Sequence, residues 1–313
     1  MAERLLVPPE WAPPGLAVGF GPLPHAIFSA RKNIFSTLFY SVYIVLGIPK
    51  PRRLLYGQLN HLFRIWVTSA DNLLDGEDKC VLPVQLPGTS RVMREVVTLM
   101  TADRVLAQLL GDAVGAETLT EKEAQSLSRE TLRYLLPSAA QEASEDGGIG
   151  VRPPPDVVLE QIHVLKTGLL FNVSFLGIDV VEGTVDRARA QRLKDAFRRF
   201  GGGCQILDDI RDLARDLVEK RQNYVLSMMA RDCPEQLAEM QQSHATPGDR
   251  LHHRAMPICL AAAKLGYQQL TGACRVFREE GILAAHTPIS LVASTLFSAL
   301  DLEDLSYELA TAP

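Results

Sequence analysis

The sequence predicts an all-α fold: a single-domain helical bundle over residues 26–313, around a central apolar cavity, behind a proline-rich segment at 1–25. Three observations carry this expectation. Apolar residues recur at helical spacing along most of the chain. The breaks between those stretches fall at proline and glycine. No run alternates with period two between Asn-Gly or Asp-Gly turns, so no hairpin is predicted.

The elements follow in order. A helix over about 27–47 holds the apolar run Ile34 to Ile48, shorter than the roughly 20 residues a membrane span needs, and stops at Ile48-Pro49-Lys50-Pro51. A second, over about 52–75, carries GQLNHLFRIWVTSA and ends in acidic residues. Leu86-Pro87-Gly88 separates it from helices at about 90–114 and 120–135. Ser138 to Asp156, acidic and then rich in proline, reads as a loop. Helices at about 156–181 and 184–217 meet at Glu182-Gly183, and Gly201 to Gly203 reads as a kink allowing close approach. A short helix at about 221–230 precedes a polar loop, 232–249, with Thr246-Pro247-Gly248 near its end. Helices at about 250–281 and 287–309 complete the chain.

Composition excludes several classes. A chain of 313 residues with 47% hydrophobic and 22% charged residues is neither collagen-like nor disordered. Its 32 basic and 37 acidic residues give a formal charge of −5, so no basic excess is available for a nucleic-acid backbone and no nucleic-acid partner is expected. Five scattered cysteines without a CxxC pair fit free thiols in a reducing compartment. The N-terminal stretch, with five prolines before Leu23, has no apolar core of a signal peptide. A cytoplasmic protein with no integral membrane span is expected.

Two carboxylate clusters stand out. Asp71 and Asp75 lie one turn apart at the C-terminal end of an apolar helix, where like charges repel and the helix dipole disfavours anions. Asp208, Asp212 and Asp216 recur every four residues as a stripe, with Asp209 beside the first and apolar Ile206, Leu207, Ile210 and Leu213 nearby. Hard oxygen ligands in such arrays suit Mg²⁺ that keeps sites for substrate phosphates. By helical phase, Arg211 and Arg215 face away from the stripe, so one is expected to pair locally and the other to be solvated. His252-His253 has no ligand partner at useful spacing and reads as a surface pair.

Over about residues 28–230 the pattern resembles the superfamily of trans-isoprenyl diphosphate synthases and class I terpene synthases. Gln205-Ile206-Leu207-Asp208-Asp209-Ile210-Arg211-Asp212 resembles the second aspartate motif of prenyl synthases, with Cys204 where they carry phenylalanine. Lys166-Thr167-Gly168 resembles their Lys-Thr element. The resemblance implies two Asp-rich helices facing each other across an apolar cavity. It implies Asp71, Asp75, Asp208, Asp209, Asp212 and Asp216 as metal ligands, with Asp71, Asp75, Asp208 and Asp212 catalytic. It further implies Lys166, Lys220 and Gln205 as diphosphate contacts, and three Mg²⁺ ions with Mn²⁺ as a substitute. Phe63, Trp66, Val67, Phe171, Phe175 and Cys204 would line the prenyl pocket. Family analogy adds a homodimer.

Departures from the pattern set the expected reaction. Ala70 precedes Asp71 where a second aspartate is usual, Lys79-Cys80-Val81 replaces an Arg-Arg-Gly, and Arg31-Lys32-Asn33 is a remnant of the isopentenyl-binding Gly-Lys-Arg. Elongation needs two diphosphates held at once, whereas ionisation of one allylic diphosphate needs a single anion site. Cyclisation of the resulting carbocation is therefore the first expectation. Condensation with isopentenyl diphosphate, or head-to-head coupling as in squalene/phytoene synthases, is the alternative. Asp208/Asp212/Asp216, followed by Asn223, also resembles the second metal motif of terpene cyclases. A non-catalytic subunit of a prenyl synthase is a reading from another class; such a subunit has no need of two repulsive carboxylate arrays.

Overall fold

The computed structural model describes Leu6, residues 18–23 and residues 29–311. Most of the proline-rich segment lies outside the described residues, as do the side chains of Arg31 and Lys32. Helices dominate: α1 Ala30–Val45, α2 Lys50–Leu74, α3 Arg91–Gly115, α4 Glu121–Ala143, α5 Pro155–Val181, α6 Arg187–Arg211, α7 Leu213–Val218, α8 Tyr224–Asp232, α9 Pro234–Gln242, α10 Met256–Glu279, α11 Ile289–Ala299 and α12 Glu303–Thr311. One element was not anticipated: a two-residue antiparallel ladder pairing β1 (Gly19–Phe20) with β2 (Val84–Gln85).

The chain divides into two compact units, one of residues 1–131 and 173–185, the other of residues 132–172 and 186–313. In the first, α2 packs chiefly on α3 and α1. Its core holds Tyr43 and Tyr56 edge to face at 5.4 Å. The Tyr56 hydroxyl donates to Glu182 at 2.7 Å, and Arg52 neutralises the same buried carboxylate at 3.3 Å. Ser90 caps α3 by accepting from the Met93 amide at 3.3 Å. Thr120 and Glu123 form a reciprocal capping box at the start of α4, with Glu123 accepting from the Thr120 amide at 2.7 Å.

The second unit is organised by α6 against α10. Here the glycines of the 201–203 run have their use. A Cβ on Gly203 would sit 3.0 Å from the Gly266 carbonyl and 2.8 Å from Leu270, and one on Gly201 would strike the Phe171 ring at 2.8 Å. The run lies within continuous helix, and its bare backbone permits the close crossing. Phe197 and Phe200 close on Phe277 at 4.7 and 5.6 Å. Gly203→Val should cost about 1–3 kcal/mol from overpacking; urea unfolding against the wild type checks this.

Several boundaries differ from expectation. Helix α4 continues through Pro137 to Ala143, so the first six residues of the expected loop from Ser138 are helical; its last turn and the residues after it supply Glu142 and Glu145 to the half-buried Lys166. The loop expected at 232–249 contains α9, begun by Pro234 in the first turn, where a missing amide costs nothing. The long helix at 184–217 breaks at Asp212, and the last helix breaks where Asp301 takes φ 57°.

Helix α5, at 27 residues, is long and apolar enough by length and composition to cross a membrane. It is a longer apolar helix than the Ile34 to Ile48 run singled out in the sequence. It nevertheless holds His163 and Lys166 in polar contacts described below and packs on α6, as a core helix does.

Candidate functional site

In the second unit, α5 widens into π-helical turns at Val158–Ile162 and Val164–Gly168, a distortion that clusters at functional sites. The wide turns deliver His163 and Thr167 to α6. Thr167 donates to Gln205, and Gln205 donates to one oxygen of Asp209 at 2.9 Å. The other Asp209 oxygen meets His163 Nε2 at 2.9 Å and accepts from the Tyr224 amide at 2.6 Å. Burial alone would raise the Asp209 pKa, but the charge and hydrogen bond of His163, with Tyr224 and Gln205, hold it below the usual carboxylate range. Both Asp209 oxygens are thus committed to protein donors. Asp209 is thus held in place under the stripe by donors from α5, α6 and α8, and Gln205 bridges Thr167 to it.

The remaining three aspartates surround the α6–α7 junction. Asp208 pairs with Arg211 at 2.8 Å, and 38% of its side chain meets solvent. Loss of hydration pushes its pKa up to about 6, against the pull of Arg211, with Asp212 and Asp209 adding repulsion. Asp212, at the break, accepts from Arg211 at 2.8 and 2.9 Å and also from Arg215. Asp216 is buried, accepts from Asn223 at 2.9 Å, and is pushed up to about 8, first by burial and then by the Asp209 charge. Asn223 also donates to the Asp209 carbonyl at 2.7 Å and caps α8, tying the two buried aspartates together. The expectation that Arg211 and Arg215 point away is corrected. The helix ends at Asp212, and the long guanidinium arms fold back onto the carboxylates beside them.

Asp216 has a pH consequence. Its raised pKa means the folded state favours the proton, so its contribution is full below the unfolded value of roughly 3.9 and is lost as pH rises toward about 8. In EDTA, Asp216→Asn should therefore gain melting temperature relative to the wild type between about pH 5 and about pH 8.5.

Lys166 is half-buried and engaged. It pairs with Glu145 at 3.0 Å and Glu142 at 3.6 Å. Burial lowers its pKa, yet the two glutamates more than offset this, so the ammonium is retained. Glu145 also accepts from the Gln222 amide at 2.8 Å. Lys220 has an exposed side chain and a left-handed backbone at φ 56°, its carbonyl accepting from the Ile149 amide at 2.8 Å.

In the first unit, Asp71 lies half-buried in the last turn of α2, and Asp75 is its C-cap, the Asp75 amide donating to the Asp71 carbonyl at 2.8 Å. Buried Asn72 clasps the following loop through both backbone groups of Lys79, each at 3.0 Å. From α3, Arg91 donates to the carbonyls of Gly76 and Glu77, and Arg94 pairs with Asp78 at 2.5 Å. Two arginines therefore reach the acidic loop, although the loop itself carries none.

The predicted pocket residues separate. Phe63 is 3% exposed and Phe175 fully buried, so both are core residues of the first unit. Trp66 stacks edge-on against Phe63 at 5.5 Å and, like Val67, is half-buried. In the second unit, half-buried Phe171 packs on Phe200 at 5.8 Å, and Cys204 is also half-buried. His163 and the pair Arg91/Arg94 were missed as site residues. His163 lies three residues before Lys166-Thr167-Gly168, but its partner is 46 residues away and only the fold reveals it.

These features define a class: the chain has the all-α fold of trans-isoprenyl diphosphate synthases, with carboxylate sets at the ends of α2 and α6. No protein-family model and no curated protein matches the sequence. Among solved structures it is similar to a decaprenyl diphosphate synthase from Rhodobacter capsulatus, at 16% identity and TM-score 0.57, covering 88% of this chain and 86% of that one. A heptaprenyl diphosphate synthase from Staphylococcus aureus is similar at 15% identity and TM-score 0.53, with 86% and 87% covered. A polyprenyl synthetase from Streptomyces coelicolor A3(2) gives 17% and 0.53, with 87% and 82% covered. Identities this low establish the shared fold.

Proposed function

We propose that the protein is a Mg²⁺-dependent prenyltransferase that condenses an allylic prenyl diphosphate with isopentenyl diphosphate. The observation that carries this reading is the oxygen-only carboxylate set at the α6–α7 junction, on a fold shared with chain-elongating synthases. Asp208 and Asp216 are held above their ordinary pKa by loss of hydration and by repulsion from Asp209 and Asp212, a condition that a divalent cation relieves. Asp208, Asp212 and Asp216 would hold Mg²⁺ there, and Asp71 and Asp75 offer a separate oxygen set in the first unit; bound Mg²⁺ would neutralise charge on a departing diphosphate.

The chain's own residues supply the rest. Asp209, fixed by His163, Gln205 and Tyr224, sets the position of its neighbours on α6. Arg211 and Arg215 occupy carboxylate oxygens; the partly exposed Arg211–Asp208 pair, worth about 0–1 kcal/mol, is weak enough to be exchanged for a cation and redirected to substrate phosphate. Half-buried Trp66 and Val67 in the first unit, and Phe171 in the second, each leave apolar surface open to a prenyl chain. The C–O bond of the allylic substrate breaks with its electrons leaving on diphosphate. The isopentenyl double bond then attacks the cation, and loss of one proton restores the alkene.

This reading replaces cyclisation as first choice. The missing arginine pair after Asp75 argued for a lost second anion site, and Arg91 and Arg94 weaken that argument. Incubation with dimethylallyl, geranyl, farnesyl or geranylgeranyl diphosphate should give product only when isopentenyl diphosphate is added, lengthened by whole five-carbon units. Product from an allylic diphosphate alone would restore the cyclase, and none under either condition would favour a non-catalytic subunit.

A further inference from the structure

The pair His252-His253 acquires a partner that the sequence did not reveal. Both lie in the second unit, in the short 3₁₀ turn Leu251–Ala255 ahead of α10. Their rings sit 4.1 Å apart. His252 Nε2 is 3.2 Å, and His253 Nδ1 3.4 Å, from the same oxygen of Asp304 in the first turn of α12. The three ligand atoms all lie within 4.8 Å of one another. In a tetrahedral site with bonds of about 2.0–2.1 Å, neighbouring ligand atoms are about 3.3 Å apart, which is the spacing of each imidazole from the carboxylate here. One hydrogen bond accounts for one histidine on Asp304; it gives no reason for a second ring to converge on the same oxygen.

Both supporting segments are anchored. Leu251 and Ala255 are 4% and 0% exposed, Gln236 holds the turn by donating to the Arg254 carbonyl at 2.7 Å, and Leu302 and Leu305 bury the start of α12. The ligands are also graded in exposure, with His252 buried, Asp304 intermediate and His253 exposed, so an ion can enter from solvent. We propose that His252, His253 and Asp304 bind one divalent transition-metal ion of the Zn²⁺ class, which pins helix α12 to the start of α10. Two imidazoles and a single carboxylate select a borderline-soft ion over Mg²⁺, which separates this site from the oxygen-only aspartate sets. Three protein ligands leave a fourth position for water.

The test uses the full chain without an affinity tag, stripped with EDTA and titrated with Co²⁺. One Co²⁺ per chain should bind with the intense visible absorption of a tetrahedral site, and Zn²⁺ should displace it. His253→Ala and Asp304→Asn, both at positions with accessible side chains, should abolish that band and weaken Zn²⁺ binding by more than about tenfold. Zn²⁺ should raise the melting temperature of the wild type and not that of either variant. Absence of the intense band from the wild type, or its survival in both folded variants, would overturn the assignment.

Discussion

Asp208→Ala should lower turnover by at least about 100-fold, the scale on which groups that hold or stabilise developing charge act, while leaving the protein folded. Asp208 is partly exposed, and in the metal-free protein its carboxylate sits beside Asp209 and Asp212. Removing it deletes a candidate ligand and also relieves repulsion, so the melting temperature in EDTA should hold or rise. Paired measurements of diphosphate release and thermal unfolding check both halves. Near wild-type turnover in a folded variant would remove Asp208 from the site.

The adjacent residue should behave oppositely. Asp209→Ala strands His163, the Gln205 amide and the Tyr224 backbone N–H in a buried site, and breaking such a charged contact typically costs about 3–5 kcal/mol. Asp209 has a depressed pKa, so its contribution is present above the ordinary carboxylate value of roughly 3.9 and fades as pH falls through the still lower folded value. Chemical denaturation at neutral pH should show the loss, and the difference from wild type should shrink in acid. A stable but inactive Asp209→Ala would return Asp209 to the metal set.

The contrast between these neighbours marks how far the sequence could be read. The all-α class and both carboxylate clusters follow from period and spacing, because one face of each helix must be apolar and like charges at helical steps need a reason; the helix count does not, since breaks at Asp212 and Asp301 and the helix begun by Pro234 leave no periodic signal. What pattern alone could not supply was orientation at a helix end. A phase argument assumes an uninterrupted helix, and α6 stops at Asp212, so Arg211 and Arg215 turn onto the carboxylates they were expected to avoid. Nor could it separate Asp208 from Asp209, which differ by one position but by the whole of the His163–Gln205–Tyr224 network. The π turns in α5 rest on hydrogen-bond geometry that leaves no compositional trace. Phe63 and Phe175 illustrate a further limit: the sequence places an aromatic near a motif but not how far its neighbours cover it, and here both are buried.

The central claim is that a divalent cation held by the aspartates drives loss of diphosphate from an allylic substrate. The most direct measurement is release of inorganic diphosphate from an allylic diphosphate plus isopentenyl diphosphate, first in excess EDTA and then as Mg²⁺ is restored. The account predicts no release in EDTA and recovery on addition of Mg²⁺. Full release in excess EDTA would contradict it.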